Sequence, residues 1–451
     1  MSSPRHLQVQ RFGSYLSTDG GARSVFRVGL ALGIAALVVI GSKQWFIRDD
    51  WALVITRTAV RDQVGWKDWL FYSQDGHWLT VPVLVYRAIE NVFGLDSYLP
   101  FLIPNLIVHV AAVLLVRRIC VRCGASAWTT TLVSLTLLVF GAGWENVVFA
   151  VQVSYNLSLV AFLAAILLVD HEGPVDRRDI LASVLAVVGV MSSGFAPIFI
   201  GGIVVLMVLH RRWLALAVVA LPQTLAYLWW YAFWESGSPS AVEQGSRGLI
   251  PAFVAQGLGS TMRSLVVIPG LAGVALLGIV GIGLWSGRDW RAHSIVLTLW
   301  ATGLAMLTGI GLERTSLGVA TAASSRYQYM TAMLLVPVLA LAVDQLVHIA
   351  REARWAARAV LSLAVLVNLG WLIESGDDYA DRSGDEKVTF ELIAGSGLID
   401  QADPNRVPEA NSPDVTVARI RWMVEHHAIH PRVPQTVAEI KRVRLALGLD
   451  V

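Results

Sequence analysis

Eleven stretches of this chain are apolar enough to sit in a bilayer, and most are long enough to cross one: 26–46, 99–116, 126–142, 153–169, 179–195, 196–210, 213–234, 264–285, 294–312, 327–348 and 358–374. A hydrocarbon core of about 30 Å takes roughly 20 helical residues, and only helices or closed barrels satisfy their backbone there. The spacing therefore predicts an all-α polytopic membrane protein with about eleven transmembrane helices. Composition agrees: 55% of the 451 residues are hydrophobic and 15% are charged, against about 25% charged in a soluble domain. The first apolar run is too long for the core of a signal peptide, and no small-x-small cleavage pattern follows it, so it reads as an anchor. The least regular pair of windows meets at Ser192-Ser193-Gly194-Phe195-Ala196-Pro197, which reads either as a turn between two short helices or as one interrupted segment.

Arginines set the expected sidedness. Arg5, Arg11, Arg23 and Arg27 precede the first window, and Arg117, Arg118 and Arg122 follow the second. Arg177-Arg178, Arg211-Arg212, Arg288 with Arg291, and Arg351 with Arg354 and Arg358 come later. With eleven spans these groups fall on one face, which the positive-inside rule makes cytoplasmic. The expected organisation is a cytoplasmic N-terminus (1–25), a membrane module (26–374) whose first outer loop is 47–98, and an extracytoplasmic tail (375–451). The loop 47–98 alternates Trp51, Leu53, Trp66, Trp69 and Phe71 with Arg57, Arg61, Asp62, Lys67 and Asp68, a pattern for helices lying in the interface. The tail is soluble in composition, with helical patterning near 387–395, 414–427 and 434–446. Cys120 and Cys123 offer two of the four ligands a zinc site needs and read as incidental thiols.

The polar chemistry collects on the other face. Arg48-Asp49-Asp50-Trp51 stands just outside the first window, and Gln74-Asp75-Gly76-His77-Trp78 lies about 25 residues on. Glu145 sits at the outer end of the third window. Glu313-Arg314 and Ser325-Arg326-Tyr327-Gln328-Tyr329 flank the loop before the tenth. Carboxylates at helix ends avoid most of the roughly 2.5–3.5 kcal/mol cost of an acid at the bilayer centre. One carboxylate can serve as general base toward a hydroxyl. Arginine and histidine can hold a phosphate, and aromatics can pack a sugar ring or a prenyl chain. That inventory suits transfer of a sugar from a lipid phosphate to an acceptor hydroxyl. The plainer alternatives are a solvated loop start at Asp49-Asp50, a turn at Asp75-Gly76, and interfacial anchoring by Glu145, Arg326 and Tyr327. His109, inside the second window, reads as a packing histidine, and the tail acids Asp377 and Asp378 as a solvated linker.

At these residues the sequence resembles the GT-C superfamily of integral membrane glycosyltransferases, in particular bacterial members that use polyprenyl-phosphate sugars. It is more distantly similar to the dolichyl-phosphate-mannose protein mannosyltransferases. The features that carry this are the acid pair after the first helix, the long first outer loop with amphipathic helices, and the span count with the tail outside. They cover about 20–375. The extended signature of oligosaccharyltransferases is absent. The resemblance implies inverting transfer, with Asp50 or Asp49 as base. Asp50 is slightly favoured because Trp51 begins the interfacial helix. It implies a role in binding acceptor or donor for Asp75 or Glu145, a place near the donor phosphate for Arg326, a polyprenyl-phosphate-linked donor, and a glycan, lipid or protein acceptor. His77, Arg314 and Tyr327 join Asp75, Glu145 and Arg326 as candidate substrate-binding residues on the inventory of the outer face. No metal or other cofactor and no nucleic-acid partner are expected. A flippase of lipid-linked sugars and a glycan polymerase or ligase are the rival readings.

Overall fold

A computed structural model describes residues 18–235, 244–286 and 293–450. The start of the fourth outer segment after Glu235, together with Arg5, Arg11, Arg288 and Arg291, lies outside the described residues. The chain is 79% helical. Its one sheet among the described residues is the two-stranded hairpin Ser73–Gln74 with His77–Trp78.

Helices occupy all eleven apolar windows, with shifted ends. Among the described residues seven are long and apolar enough to cross a bilayer alone, and the number is nine if each of two bent pairs counts as one span. The first runs Asp19–Gly41, starting earlier than the hydropathy because Thr18 caps it with a 3.1 Å bond from the Gly21 N–H. The segment around Ser192 resolves into two 14-residue helices, Arg177–Val190 and Ala196–Leu209, joined by a turn. At about 1.5 Å per residue neither reaches across 30 Å by itself. The window 264–285 is a sharper departure: Arg247–Val266 and Leu271–Trp285 meet at 114°. The segment 47–98 is helical over Arg57–Val64, Trp66–Phe71 and Thr80–Phe93.

Burial separates the helices by role. In Ser325–Ile349 every residue from Tyr329 to Leu341 is buried, the mark of a helix surrounded by protein on all sides. By contrast Leu32 and Val39 of the first helix, Phe233 of Trp213–Trp234 and Leu277 of Leu271–Ser286 are each at least 60% exposed. Such apolar exposure on many helices is unfavourable in water and natural in lipid.

The third span breaks at Phe140-Gly141-Ala142-Gly143. A Cβ on Gly141 would lie 2.4 Å from the Asn368 carbonyl oxygen and 2.6 Å from the Leu372 nitrogen, so glycine is what lets the last span pass backbone against backbone. The chain then folds through Trp144–Val148 and a 3-10 turn before Val153–Val169 begins. The carbonyls freed by this break are recovered by asparagines. Asn105 Nδ2 lies 3.0, 3.2 and 3.2 Å from the carbonyl oxygens of Asn146, Val147 and Phe149. Asn156 Nδ2 donates to the Asn146 carbonyl (2.7 Å) and to Asn105 Oδ1 (2.8 Å).

The last span does not end with its apolar window. Ala353–Gly395 is one 43-residue helix that crosses 374/375 without interruption and packs against the tail helices Val417–Glu425 and Val437–Leu447.

Replacing Asn105 with alanine leaves buried carbonyls without donors, each worth about 1–3 kcal/mol. The expected outcome is a thermal unfolding midpoint several degrees lower in detergent, while a surface change such as Val437→Ala leaves it unmoved.

Candidate functional site

The acid pair is placed by a sharp turn. Arg48 has φ 55° and ψ −128°, a backbone conformation rare for a side chain with a Cβ. That turn sends the two carboxylates different ways. Asp50 is fully buried and accepts hydrogen bonds from the Tyr86 hydroxyl (2.5 Å) and the Tyr98 hydroxyl (3.0 Å). Tyr98 in turn accepts from the Ala150 N–H at 2.8 Å. Burial pushes the Asp50 carboxyl up to about 7, against the opposing pull of the two tyrosines. Asp49 is exposed and borders a small cleft lined also by Gln74, Asp75, His77, Gln152, Tyr155 and Arg326. Enclosure holds the Asp49 carboxyl above its ordinary value; Arg326 pulls it down, Asp75 pushes it up and Arg48 pulls it down.

Asp75-Gly76 is the two-residue loop of the hairpin, with φ 51° and 78°. Positive φ at both positions is the geometry for which Asp-Gly is suited. The turn pairs Gln74 with His77 across the strands. His77 then packs on Gly194 in the turn between the two short helices. A Cβ there would fall 2.0 Å from His77 Nδ1, so the glycine of the Ser-Ser-Gly break makes the histidine's berth. Burial lowers His77 to about 4, so the ring is neutral near pH 7 in the unliganded cleft.

Positive charge comes from arginine. Arg326, at the start of Ser325–Ile349, approaches Glu145 at 3.5 Å, and Arg48 approaches the other Glu145 oxygen at 3.4 Å. Glu145 is buried, and its N–H donates to Ser325 Oγ at 3.1 Å. It is therefore a strut between two arginines. Arg314 and Arg326 both lie within electrostatic reach of His77, and Tyr327 within reach of Tyr155 and Arg326.

Residues from five separate stretches of sequence thus meet at one end of the helices. Asp49, Asp75, His77 and Arg326 border the cleft itself. Glu145 stands behind Arg326, Arg314 and Tyr327 lie nearby, and Asp50 is turned into the core. Tyr155, Tyr86 and Tyr98 had no distinguishing signal in the sequence, since lone tyrosines near helix ends are common at interfaces. His109 is buried between Tyr329 Oη (2.8 Å) and the Leu138 carbonyl (2.9 Å), as a packing histidine. Cys120 and Cys123 are free thiols.

The cleft touches the N-terminal end of Val153–Val169. The opposite end of that helix leads to His171, Asp176 and Asp179, the one group among the described residues whose donor atoms lie within 4.8 Å of one another. Its carboxylates are held by Arg212, at 2.9 Å from both Asp179 oxygens, and by Arg178 at 2.8 Å from Asp176. It lies about 25 Å from the cleft at 1.5 Å per helical residue, on the arginine-rich side.

No family model and no curated protein matches the sequence. The fold does have counterparts. The crystal structure of ArnT from Cupriavidus metallidurans in the apo state superposes with a TM-score of 0.53 at 12% identity, over 91% of this chain and 90% of that one. The structure of the same protein bound to undecaprenyl phosphate gives a TM-score of 0.51 at 12% identity, over 90% and 88%. The chain thus shares the fold of ArnT across nearly its whole length.

Asp50 binds its proton more tightly folded than unfolded, so between about pH 4 and 7 folding takes up a proton and stability falls as pH rises. Unfolding midpoints measured across that window should decline, and Asp50→Asn should flatten the decline.

Proposed function

We propose, with the fold shared with ArnT as premise, that this chain is a membrane glycosyltransferase that moves a sugar from a polyprenyl-phosphate donor to an acceptor hydroxyl. The single observation that carries this reading is the cleft in which the Asp49 carboxylate faces Arg326 at the helix ends. A base for the incoming hydroxyl and a cation for the departing phosphate are the two charges such a transfer requires. The undecaprenyl phosphate bound by ArnT supports a lipid-phosphate donor.

In this reaction the acceptor hydroxyl attacks the anomeric carbon and Asp49 takes its proton. The carbon–oxygen bond to the phosphate breaks with its electron pair on the leaving polyprenyl phosphate, and the anomeric centre inverts. Arg326, tethered to Glu145, neutralises the leaving phosphate, and Arg48 lies within the same electrostatic field. Asp49 is preferred over Asp50 as base because both Asp50 oxygens are occupied inside the protein. Asp50 instead holds the turn that aims its neighbour. Neutral His77, Gln74, Gln152 and Tyr155 provide polar walls for a sugar, and Asp75 and Tyr327 the rim. Arg314 adds to the positive field. The arginine distribution supports an inner-membrane protein with the cleft and the tail on the extracytoplasmic face. No step draws on a metal.

The test is transfer from radiolabelled polyprenyl-phosphate sugars in membranes. Asp49→Asn should lower the rate by about 10²–10⁴-fold, the usual worth of a general base, with normal insertion. Arg326→Ala should lower it by about 10²-fold or more, as for loss of one charge-stabilising donor. Full activity in Asp49→Asn refutes the assignment, and absence of transfer with every donor tried returns the fold to a lipid-handling role without chemistry.

A further inference from the structure

The segment that joins the first span to the acid pair has turn hydrogen bonds of its own, such as Gln44 N–H to the Gly41 carbonyl at 3.2 Å, but, the Arg48 side chain on Glu145 apart, its long-range partners all come from one part of the chain. It is fastened, residue by residue, to the C-terminal end of the chain. Lys43 pairs with Asp377 at 2.7 Å. Gln44 Nε2 donates to the Gly376 carbonyl at 2.8 Å, where a Cβ on Gly376 would come within 2.4 Å of Ile40. The Trp45 N–H donates to Ser383 Oγ at 3.3 Å. The next fastening is at the strained turn itself: the Arg48 N–H donates to Ser412 Oγ at 3.1 Å, and Ser412 donates to Glu386 Oε2 at 2.6 Å. Beyond the acid pair, Thr56 donates to Asp414, and Arg419 donates to the Ile55 carbonyl at 3.3 Å.

Ser412 is 0% exposed and Glu386 3%, so the bond between them is buried and backs the part-buried contact at Arg48. An unfavourable backbone conformation persists only where its surroundings hold it. Arg48 carries no glycine's freedom, and its N–H points at a tail serine whose own proton is committed to a buried glutamate.

We infer that Ser412 and Glu386 form a latch that positions Asp49, so that the C-terminal tail is an integral part of the site. This rests on the reading of Asp49 as the base. The latch acts through the backbone of Arg48: while it is closed, φ stays positive, Asp50 stays under its tyrosines and Asp49 stays at the cleft. Neither latch residue borders the cleft, so both are positioning residues. Their loss affects turnover rather than donor affinity.

The experiment uses the full chain in proteoliposomes, with Cys120 and Cys123 replaced by alanine and Asp49→Cys as reporter. The measured quantity is the rate of labelling by a membrane-impermeant maleimide. Ser412→Ala should change that rate threefold or more at equal insertion. Glu386→Gln, which keeps an acceptor oxygen for Ser412, should keep it within threefold. In the chain that retains Asp49, Ser412→Ala should lower kcat at least tenfold with the donor KM within threefold. A labelling rate that Ser412→Ala shifts by less than threefold overturns the latch. If the unaltered chain transfers no sugar, the proposed function fails, while the labelling rates still decide the latch. If Ser412→Ala does not insert, Glu386→Ala read by the same labelling replaces it, with the same threefold criterion.

Discussion

The buried carboxylate of Asp50 is the constraint around which the rest is arranged. An ionisable group taken fully out of water is costly unless it is hydrogen-bonded or neutral. Here two tyrosine hydroxyls meet it, one from the helix Thr80–Phe93 and one from the residue that opens Leu99–Arg122. Tyr98 also receives the Ala150 N–H, which ties in the broken third span. Four separate pieces of chain are therefore required to satisfy a single side chain. The same requirement turns its neighbour outward, since consecutive residues in one turn cannot share that pocket.

A second organising principle is the use of broken helices where polar backbone must be recovered. The interruption after Leu138 frees carbonyls from helical bonding, and within a bilayer such irregular backbone is tolerated only when buried in protein or lining a cavity. Asn105 and Asn156 meet those carbonyls, and the break delivers Glu145 to the two arginines. The turn between Arg177–Val190 and Ala196–Leu209 gives His77 its place on Gly194. Both breaks sit at the same end of the bundle, so the irregular backbone and the functional groups occupy one layer. The opposite ends carry the arginines, with Arg122 on Asp170 and Arg212 on Asp179.

Much of this layer was legible before any coordinates. Every apolar window is helical, though two are bent or broken, because hydropathy over about 20 residues reflects solvent preference and needs no partner. The Asp-Gly turn was legible because its backbone geometry is local. Asp49, Asp75, His77 and Arg326 stand together at the cleft because alternation of spans sends every second helix end to the same face. The division of labour between Asp49 and Asp50 was not legible: the preference for Asp50 came from Trp51, a neighbour in sequence. What distinguishes the two is Tyr86 and Tyr98, which lie 36 and 48 residues from Asp50. The seating of His77 was hidden for the same reason, since it packs against a glycine more than 100 residues away.

By itself, the sequence determined that this chain is a helical bundle with apolar, membrane-length helices, that its acids gather at helix ends, and that one break falls near Ser192. Those are properties of composition and short-range pattern, and they hold whatever the neighbours are. Only the tertiary structure decided which acid meets the cleft and that Glu145 supports arginines. It also decided that the tail, a soluble-looking segment, reaches back over 364 residues to Arg48. Contacts of that kind join positions with no periodic or compositional link, so they exist only once the last helix has packed along the first.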